Sequence, residues 1–250
     1  AWLLLEMGCK IDRKFYYMHM EDDLPDDLLK EYELAIKKRA EHIPLQYIVG
    51  ETEFMGLKFK VNSNVLIPRQ DTETLVEEAL KTVKPGMKVL DMCTGSGCII
   101  ISILHNVEGV KGYAVDISKQ AVNVAKENAK LNEVPVLFER SDLFEMVTEK
   151  FDVIVSNPPY IPTDVIPQLM PEVQVFEPIE ALDGKEDGLY FYRKIVEQSK
   201  DYLNSGGSLM FEIGYDQGKD VSKMMTDAGF SNVCVKKDLA GNDRVVTGML

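Results

Sequence analysis

The segment from Val153 to Tyr160 carries the residue types of this chain that are best suited to chemistry. An apolar, β-branched run ends there in Asn157, Pro158, Pro159 and Tyr160. Proline has no N–H for a sheet ladder and holds φ nearly fixed, so the strand stops and a stiff loop follows. This loop offers one side-chain amide, unpaired carbonyls and an aromatic face. Such groups suit holding a planar amide or amine nitrogen by its hydrogens.

A second junction between a strand and a loop, from Val89 to Gly97, is rich in small residues. Gly95 and Gly97 let the backbone approach a ligand and adopt conformations that a Cβ would forbid. The helix that follows has free N–H groups at its start, which suit a carboxylate or a phosphate. This loop favours a bound cofactor, although NAD binding and a tight structural turn fit it as well.

A carboxylate ends the next predicted strand. Asp116 stands 19 positions after Gly97, the spacing at which an acid accepts hydrogen bonds from ribose hydroxyls. After the third strand, Asp142 would lie near an adenine amino group and Leu143 would lie against its ring. Since ligands of such sheets bind outside the carboxyl ends of the strands, these residues and Asn157 are expected to gather there. The pattern favours an adenosine-containing cofactor and leaves NAD and S-adenosylmethionine open.

From Lys88 onward, short predicted strands alternate with helices. The strands are predicted at 88–92, 112–115, 136–138, 153–155, 208–213, 232–236 and 244–248, and the helices at 98–105, 118–131, 188–203 and 217–228. Repeated βα units predict an α/β fold, a Rossmann-like doubly wound sheet that is mostly parallel. The last two strands follow each other without a helix, which predicts an antiparallel edge.

The residues before Lys88 are predicted to form smaller units. Residues 1 to 45 are predicted to be helical, with one helix starting at Pro25. Its expected apolar stripe is Leu28, Leu29, Tyr32, Leu34, Ile36 and Ala40. Two extended runs, 46–49 and 57–61, are separated by a turn at Met55-Gly56 and predict a β-hairpin. A linker helix is predicted to begin near Asp71 and to end at Thr82 or Val83. We therefore divide the chain into 1–45, 46–84 and 85–250.

Composition and charge limit the function classes. The net charge of −13 disfavours binding to a phosphate backbone, and from Phe151 to Tyr190 eight acidic residues face a single basic one. A basic protein surface is therefore a better partner for this region than a nucleic acid, with a solvated acidic loop as the other interpretation. No stretch approaches the roughly 18 apolar residues of a membrane span, so no membrane partner is expected.

Cysteine and histidine usage gives two further expectations. The four cysteines form no C-x-x-C pair and the three histidines are scattered, so we expect no metal site and reduced cysteines in a cytoplasmic protein. The chain begins at Ala1 within an apolar helical pattern and without Met. We therefore expect an N-terminal part of the natural protein to precede it.

Taken together, several motifs resemble one enzyme family. Asp91-x-x-Thr-Gly-Ser-Gly97, Val115-Asp116 and Asn157-Pro-Pro-Tyr160 resemble class I S-adenosylmethionine-dependent methyltransferases that act on amino or amide nitrogen. Five further segments are similar to the release factor glutamine methyltransferases: Arg39–Gly50, Leu66–Glu73, Phe176–Leu182, Asp187–Leu189 and Gly241–Val245. The resemblance runs from Arg39 to the C-terminus, and residues 1–38 match only as a shortened helical domain.

The resemblance implies methylation of the side-chain amide nitrogen, N5, of the glutamine in the Gly-Gly-Gln loop of peptide chain release factors. Residues 1–45 would be a truncated substrate-recognition domain and 85–250 the methyltransferase domain. The implied cofactor residues are Cys93, Thr94, Gly95, Ser96, Gly97, Asp116, Asp142, Leu143 and Asn157. The catalytic residues would be Asn157, Pro158 and Tyr160, and Pro159 would also contact substrate. Release factors are the expected partners, without direct nucleic acid, and we expect a monomer.

Two departures from the family pattern concern the cofactor loop. The family usually has Gly where this chain has Cys93, and it commonly has an aromatic residue where this chain has Leu143. We expect cofactor binding to survive both. Arg69 and Glu73 are expected either to close over the site or to pair with each other, and Phe191 and Tyr192 to be core residues.

Alternatives stay open at this point. A nucleic-acid adenine or cytosine amino-methyltransferase shares Asn157-Pro-Pro-Tyr160, but the acidic surface weighs against it. A non-catalytic binding module would keep the fold, but its loss of activity is usually accompanied by a degraded version of this motif. An NAD-dependent oxidoreductase leaves the Pro-Pro loop unexplained.

Overall fold

The computed structural model describes residues 2–250, in which seven strands form one sheet in the order β5-β4-β3-β6-β7-β9-β8. The strands are β3 (Lys88–Met92), β4 (Lys111–Asp116), β5 (Val136–Arg140), β6 (Phe151–Ser156), β7 (Leu203–Glu212), β8 (Ser231–Lys237) and β9 (Asp243–Met249). Strands β5, β4, β3, β6 and β7 pair in parallel, and β9 is antiparallel to both β7 and β8. The predicted α/β class and its antiparallel edge are confirmed.

The chain order of the strands reverses at β3. It runs from β3 outward to β4 and β5, and then returns to the other side of β3 with β6. In open α/β sheets, such a reversal leaves a crevice at the carboxyl ends of the two strands that flank it. The loops that follow Met92 of β3 and Ser156 of β6 therefore lie side by side, because these two residues are register partners.

Helices cover both faces of the sheet. They are α4 (Glu73–Thr82), α5 (Cys98–Asn106), α6 (Lys119–Leu131), α8 (Tyr190–Tyr202) and α9 (Gly218–Asp227). The short helix α7 (Pro171–Gln174) lies between β6 and α8 in the chain. Apolar residues of α4 and α5 pack with Val89 and Val153 in one core cluster, and those of α8 and α9 pack with Leu90 and Ile154 in another. Since successive strand residues point to opposite faces, the apolar runs of β3 and β6 supply both cores.

The hairpin β1 (Glu51–Phe54) and β2 (Leu57–Lys60) is present where the sequence predicted a turn. Met55 and Gly56 have φ of 51° and 73°, and positive φ at both central residues is the two-residue turn that suits hairpin twist. Phe54 and Phe59 are fully buried against the sheet domain. The hairpin is therefore part of the main core.

The prediction of an extended run at residues 46–49 is wrong. Leu45–Val49 forms the short helix α3, which begins after Pro44 and ends at Gly50, whose φ of 84° closes the helix. The β-branched pair Ile48-Val49 favoured a strand, but the proline start and glycine stop prevail over that propensity. The strand of the hairpin begins two residues later, at Glu51.

The N-terminal residues are helical, as predicted. A π-helical turn (Leu4–Gly8) is followed by α1 (Arg13–Met18) and α2 (Asp26–Ala40). The inward side of α2 consists of Leu28, Tyr32 and Ala35, spaced by four and three residues. Leu29, Leu34 and Ile36 of the expected stripe are exposed. Between residues 2 and 250, no helix combines the length and apolar character that crossing a bilayer requires.

Asn128 of α6 joins the hairpin to the loop after β3. Its Nδ2 donates to the carbonyls of Lys60 and Ser96 at 3.0 and 2.9 Å, and its Oδ1 accepts from the Lys60 N–H at 2.7 Å. The side chain is fully buried. Loss of this amide leaves several part-buried backbone groups unpaired.

We expect Asn128→Ala to lower the free energy of unfolding by about 2 to 3 kcal/mol. Urea denaturation measures this difference. Asn123→Ala is the matched control, because Asn123 lies on the exposed face of the same helix and should change stability by less than about 0.5 kcal/mol. Equal destabilisation by the two variants would contradict the role of Asn128.

Candidate active site

A cavity of about 510 Å³ lies at the carboxyl ends of β3, β4 and β6. The sequence-predicted residues that line it are Cys93, Thr94, Gly95, Ser96, Asp116, Asp142, Leu143, Asn157 and Pro159. Gly97, Pro158 and Tyr160 lie next to these residues in the chain and are not among the lining residues. The structure therefore brings most of the predicted site together around one space of the size typical for cofactor pockets.

The loop after β3 follows a path that demands small or permissive residues. Cys93, Gly95 and Gly97 have φ of 63°, 54° and 81°. A Cβ on Gly97 would lie 3.0 Å from Ile101 and 3.1 Å from Ala125, so this glycine lets the loop pack closely on α6. Cys93 takes a left-handed conformation with a side chain in place, in a region of φ that favours glycine.

Two carboxylates, the buried Asp91 and the half-buried Asp116, organise this loop. Asp91 accepts a hydrogen bond from the Thr94 hydroxyl at 2.6 Å, and burial raises its pKa to about 7. Asp116 accepts from the backbone N–H of Gly95 and of Ser118, both at 2.9 Å. Burial also raises the pKa of Asp116. Each Asp116 oxygen keeps lone pairs for a ligand, since an ionised carboxylate has about four acceptor positions.

The charge of the cavity lining is negative. Its acids are Asp116, Asp142, Glu180 and Asp183, and its basic residues are Arg69 and Lys185. Both basic residues are already paired, Lys185 with Asp183 at 3.0 Å and Arg69 with Glu177 at 2.5 Å. The surplus of carboxylates favours a ligand that carries positive charge.

Asn157 lies half-buried between the cavity and a polar cluster beneath it. Its Nδ2 lies 3.4 Å from the Thr72 hydroxyl oxygen, to which it donates. With the amide nitrogen on this side, Oδ1 is available as an acceptor toward the cavity. The adjoining Pro158 and Pro159 are buried, so the loop has little freedom to turn.

The side chain of Tyr160 lies beneath the cavity and is not part of its lining. Its ring packs against the core cluster of α8 and α9, and its hydroxyl lies 3.5 Å from Oε1 of Glu212. Burial raises the pKa of the Tyr160 hydroxyl well above its usual range, so the side chain stays neutral. It supports the floor of the site, and the cavity wall is formed by its neighbour Pro159.

The backbone of Tyr160 is held by the segment that follows Leu182. Gln217 donates from Nε2 to the Tyr160 carbonyl at 3.0 Å. Next to it, the Ile161 N–H donates to the Leu182 carbonyl at 3.0 Å and the Ile161 carbonyl accepts from the Gly184 N–H at 2.8 Å. Gly188 has a φ of 72°, and a Cβ on it would lie 2.3 Å from the Tyr160 carbonyl oxygen. This close approach explains why position 188 is a glycine.

The opposite wall comes from the linker before α4 and from residues 178–191. Arg69 lines the cavity and pairs with buried Glu177, not with Glu73. Glu73 instead accepts from the backbone N–H of Met55 at 2.7 Å and ties α4 to the hairpin turn. The Arg69–Glu177 pair joins two segments that are 108 residues apart in the chain and that both contribute to the cavity lining.

Sequence reasoning missed or misassigned three residues of this region. Phe191 packs against the core as expected but also lines the cavity, while its neighbour Tyr192 is fully buried as predicted. Thr72 also lines the cavity, and Glu212 lies buried behind Asn157. A signal existed for Glu212, because an acid near the carboxyl end of the predicted strand 208–213 falls where ligands of this fold bind.

We expect Gly188→Ala to lower the free energy of unfolding by about 2 to 4 kcal/mol, from left-handed strain plus the clash with Tyr160. Gly241→Ala is the control, since Gly241 has a φ of 87° but open space around its Cβ position. It should cost only the strain, about 1 kcal/mol. Urea denaturation of both variants makes the comparison, and equal losses would contradict the close contact.

Comparisons with known proteins agree with this geometry. The family model of the Methyltransferase small domain matches residues 69–169, and that of the PrmC N-terminal domain matches residues 1–50. The release factor glutamine methyltransferase of Clostridium acetobutylicum is 45% identical over 251 residues, which cover 98% of this chain and 88% of that protein. The enzyme of the same name from Geobacter sulfurreducens is 42% identical, over 99% of this chain and 87% of its own length.

Among solved structures, a methyltransferase from Pyrococcus furiosus superposes with a TM-score of 0.58 at 20% identity. The match covers 78% of this chain and 89% of that one, and it shows the shared fold. The assignment to a narrower group comes from the sequence relatives, whose similarity spans nearly the whole chain. By this similarity, the chain belongs to the release factor glutamine methyltransferase family.

Proposed function

We propose that this protein transfers a methyl group from S-adenosylmethionine to the side-chain amide nitrogen, N5, of the glutamine in the Gly-Gly-Gln motif of peptide chain release factors. Family membership supports the reaction type. The observation that carries the proposal for this chain is the orientation of Asn157, whose Nδ2 faces Thr72 and whose Oδ1 is left for a ligand in the cavity.

The residues of the cavity fit S-adenosylmethionine. The donor carries a positive sulfonium and an ammonium group, and four carboxylates line the cavity beside two basic residues that are both paired. Asp116 would hold the ribose hydroxyls, and the segment from Cys93 to Gly97 would hold the methionine part. Asp142 and Leu143 would contact the adenine. When bound, the donor supplies an electrophilic methyl group.

The role of the Asn157-Pro158-Pro159-Tyr160 loop would be orientation. A carboxamide nitrogen is a poor nucleophile because its lone pair is delocalised into the carbonyl. If Asn157 Oδ1 and the Pro158 carbonyl each accept one amide hydrogen, the nitrogen is held with its lone pair toward the methyl group. Positioning of this kind contributes several kcal/mol to lowering a barrier, and the acceptors also stabilise positive charge that grows on nitrogen.

The protein partner fits the charge of the site's surroundings. The segment from Phe151 to Tyr190, which supplies one wall of the cavity, has eight acidic residues and one basic residue. Exposed apolar side chains stand among them, such as Met170, Val175 and Ile179. A glutamine presented on a loop with basic neighbours is therefore the substrate class that suits this wall.

The reaction is tested with labelled S-adenosylmethionine and either a release factor or nucleic acid. We expect label in the release factor, and peptide mass spectrometry should place one added methyl on the glutamine of its Gly-Gly-Gln motif. Label in DNA or RNA with none in the release factor would instead identify an amino-methyltransferase of nucleic acid.

Asn157→Ala should abolish turnover, because the amide nitrogen loses an acceptor that orients it, while donor affinity stays within a few-fold of the original. Single-turnover methylation and calorimetric titration of S-adenosylmethionine measure the two quantities. Asn123→Ala, on the exposed face of α6, is the control and should keep full turnover. If Asn157→Ala retained turnover, Asn157 would not be the residue that orients the substrate amide.

Asp116→Asn should weaken S-adenosylmethionine binding by about 10- to 100-fold, because hydrogen bonds to a charged acceptor contribute roughly 1.5 to 3 kcal/mol. Asp201→Asn removes a carboxylate from the exposed end of α8 and should leave binding unchanged. Titration calorimetry at one salt concentration compares the two. Unaltered affinity in Asp116→Asn would show that Asp116 does not hold the ribose hydroxyls.

A further inference from the structure

The polar cluster beneath Asn157 consists of two buried side chains, Thr72 and Glu212. Thr72 is buried in the short 3-10 helix Gln70–Thr72, and Glu212 is buried at the carboxyl end of β7. Ser156 pairs with Phe211 in the register of β6 and β7, so Asn157 and Glu212 follow at adjacent positions of the two strands. Three segments from distant parts of the chain thus meet behind one amide.

Hydrogen bonding in this cluster runs in one direction. Asn157 Nδ2 donates to the Thr72 hydroxyl oxygen at 3.4 Å. Burial raises the pKa of the Glu212 carboxylate, and the nearby Thr72 hydroxyl and Asn157 amide act in the opposite direction and lower it. Glu212 Oε1 also lies 3.5 Å from the Tyr160 hydroxyl, while Oε2 has no hydrogen-bond partner among the described residues. The amide nitrogen of Asn157 therefore lies on the side of two hydrogen-bond acceptors, the Thr72 hydroxyl oxygen and the Glu212 carboxylate.

We propose that Thr72 and Glu212 are positioning residues that fix the side-chain amide of Asn157 with nitrogen inward and oxygen toward the cavity. This inference rests on the proposed function, in which Asn157 Oδ1 accepts a hydrogen of the substrate amide. A free Asn side chain can flip its amide, and the flipped form would present donors to a substrate that is itself a donor. The buried acceptors make that flipped form costly.

Other charged and titratable groups around Glu212 come from each neighbouring element. They are Asp71 of the 3-10 helix, Tyr160 after β6, Tyr192 of α8, Cys98 of α5 and Arg244 of β9. Arg244 is shared with Asp71 and with buried Asp238, each at 3.1 Å. The charge of Arg244 is therefore divided among Asp71, Asp238 and Glu212. Burial raises the pKa of Glu212 to about 7.

This placement gives the reaction a pH dependence of defined sign. Glu212 is ionised above about pH 7 and accepts from its neighbours, whereas below that pH a proton occupies one of the oxygens. A protonated Glu212 offers less to the amide nitrogen of Asn157. We expect kcat to fall about tenfold from pH 8 to pH 6, following the ionised fraction, with little change in donor affinity.

Substitutions at Thr72 and Glu212 separate positioning from structural support. Thr72→Val removes the hydroxyl at nearly constant volume and should lower kcat about 10- to 100-fold, with an unchanged Kd for S-adenosylmethionine. Thr72→Ser restores the hydroxyl and should restore kcat. Glu212→Gln should lower kcat and flatten its pH profile between pH 6 and 8. Glu149→Gln, in a half-buried ion pair with Lys88 at the start of β3, is the matched control and should leave both unchanged.

The decisive measurement is nuclear magnetic resonance of the Asn157 side-chain amide in the full chain without substrate, assigned through its loss in Asn157→Ala. The chemical shifts of the two Nδ2 protons should change with pH around a midpoint near 7 in the unmodified protein. They should not change in Glu212→Gln. Invariant resonances, or full kcat in Thr72→Val, would overturn the positioning role. If the unmodified protein fails to methylate the glutamine, the proposed function fails, while the titration still decides whether Glu212 controls Asn157.

Discussion

The parallel pairing of β3 with β6 is the constraint on which the rest of the site depends. Met92 and Ser156 are register partners, and the Ser156 hydroxyl donates to the Met92 carbonyl at 2.7 Å in the buried interior. This pairing sets the loop that would hold the donor beside the loop that would hold the acceptor nitrogen. Both loops have little conformational freedom, since one turns through left-handed residues and the other is stiffened by two prolines. Their separation is therefore fixed by the sheet.

Around that pair, side-chain hydrogen bonds and an ion pair join further segments of the chain. Asn128 ties the glycine loop to the hairpin, Gln217 ties Tyr160 to the segment after Leu182, and Arg244 ties β9 to the linker. Each contact joins residues that are far apart in sequence. Preorganisation of this kind matters for a reaction whose catalysis rests on orientation, because small displacements of the reacting groups are costly.

Much of the fold followed from local pattern, and the reasons for the exceptions are physical. The βα alternation after Lys88 predicted the sheet and its antiparallel edge, since buried parallel strands read as continuous apolar runs. The extended run at 46–49 was wrong because Pro44 and Gly50 set helix bounds that β-branched residues did not reveal. Motif spacing located most of the cavity lining around Gly95 and Asp116. Thr72 and Glu212 could not be paired with Asn157 from sequence, because only strand register and the path of the linker bring them together.

The central claim is that Asn157 holds the substrate amide through its side-chain oxygen. A crystal structure of the protein with S-adenosylhomocysteine and a peptide containing Gly-Gly-Gln tests this most directly. The account predicts that the glutamine nitrogen lies within hydrogen-bond distance of both Asn157 Oδ1 and the Pro158 carbonyl, with Asn157 Nδ2 still toward Thr72. A glutamine bound elsewhere, or an Asn157 amide turned with its nitrogen toward the peptide, would contradict it.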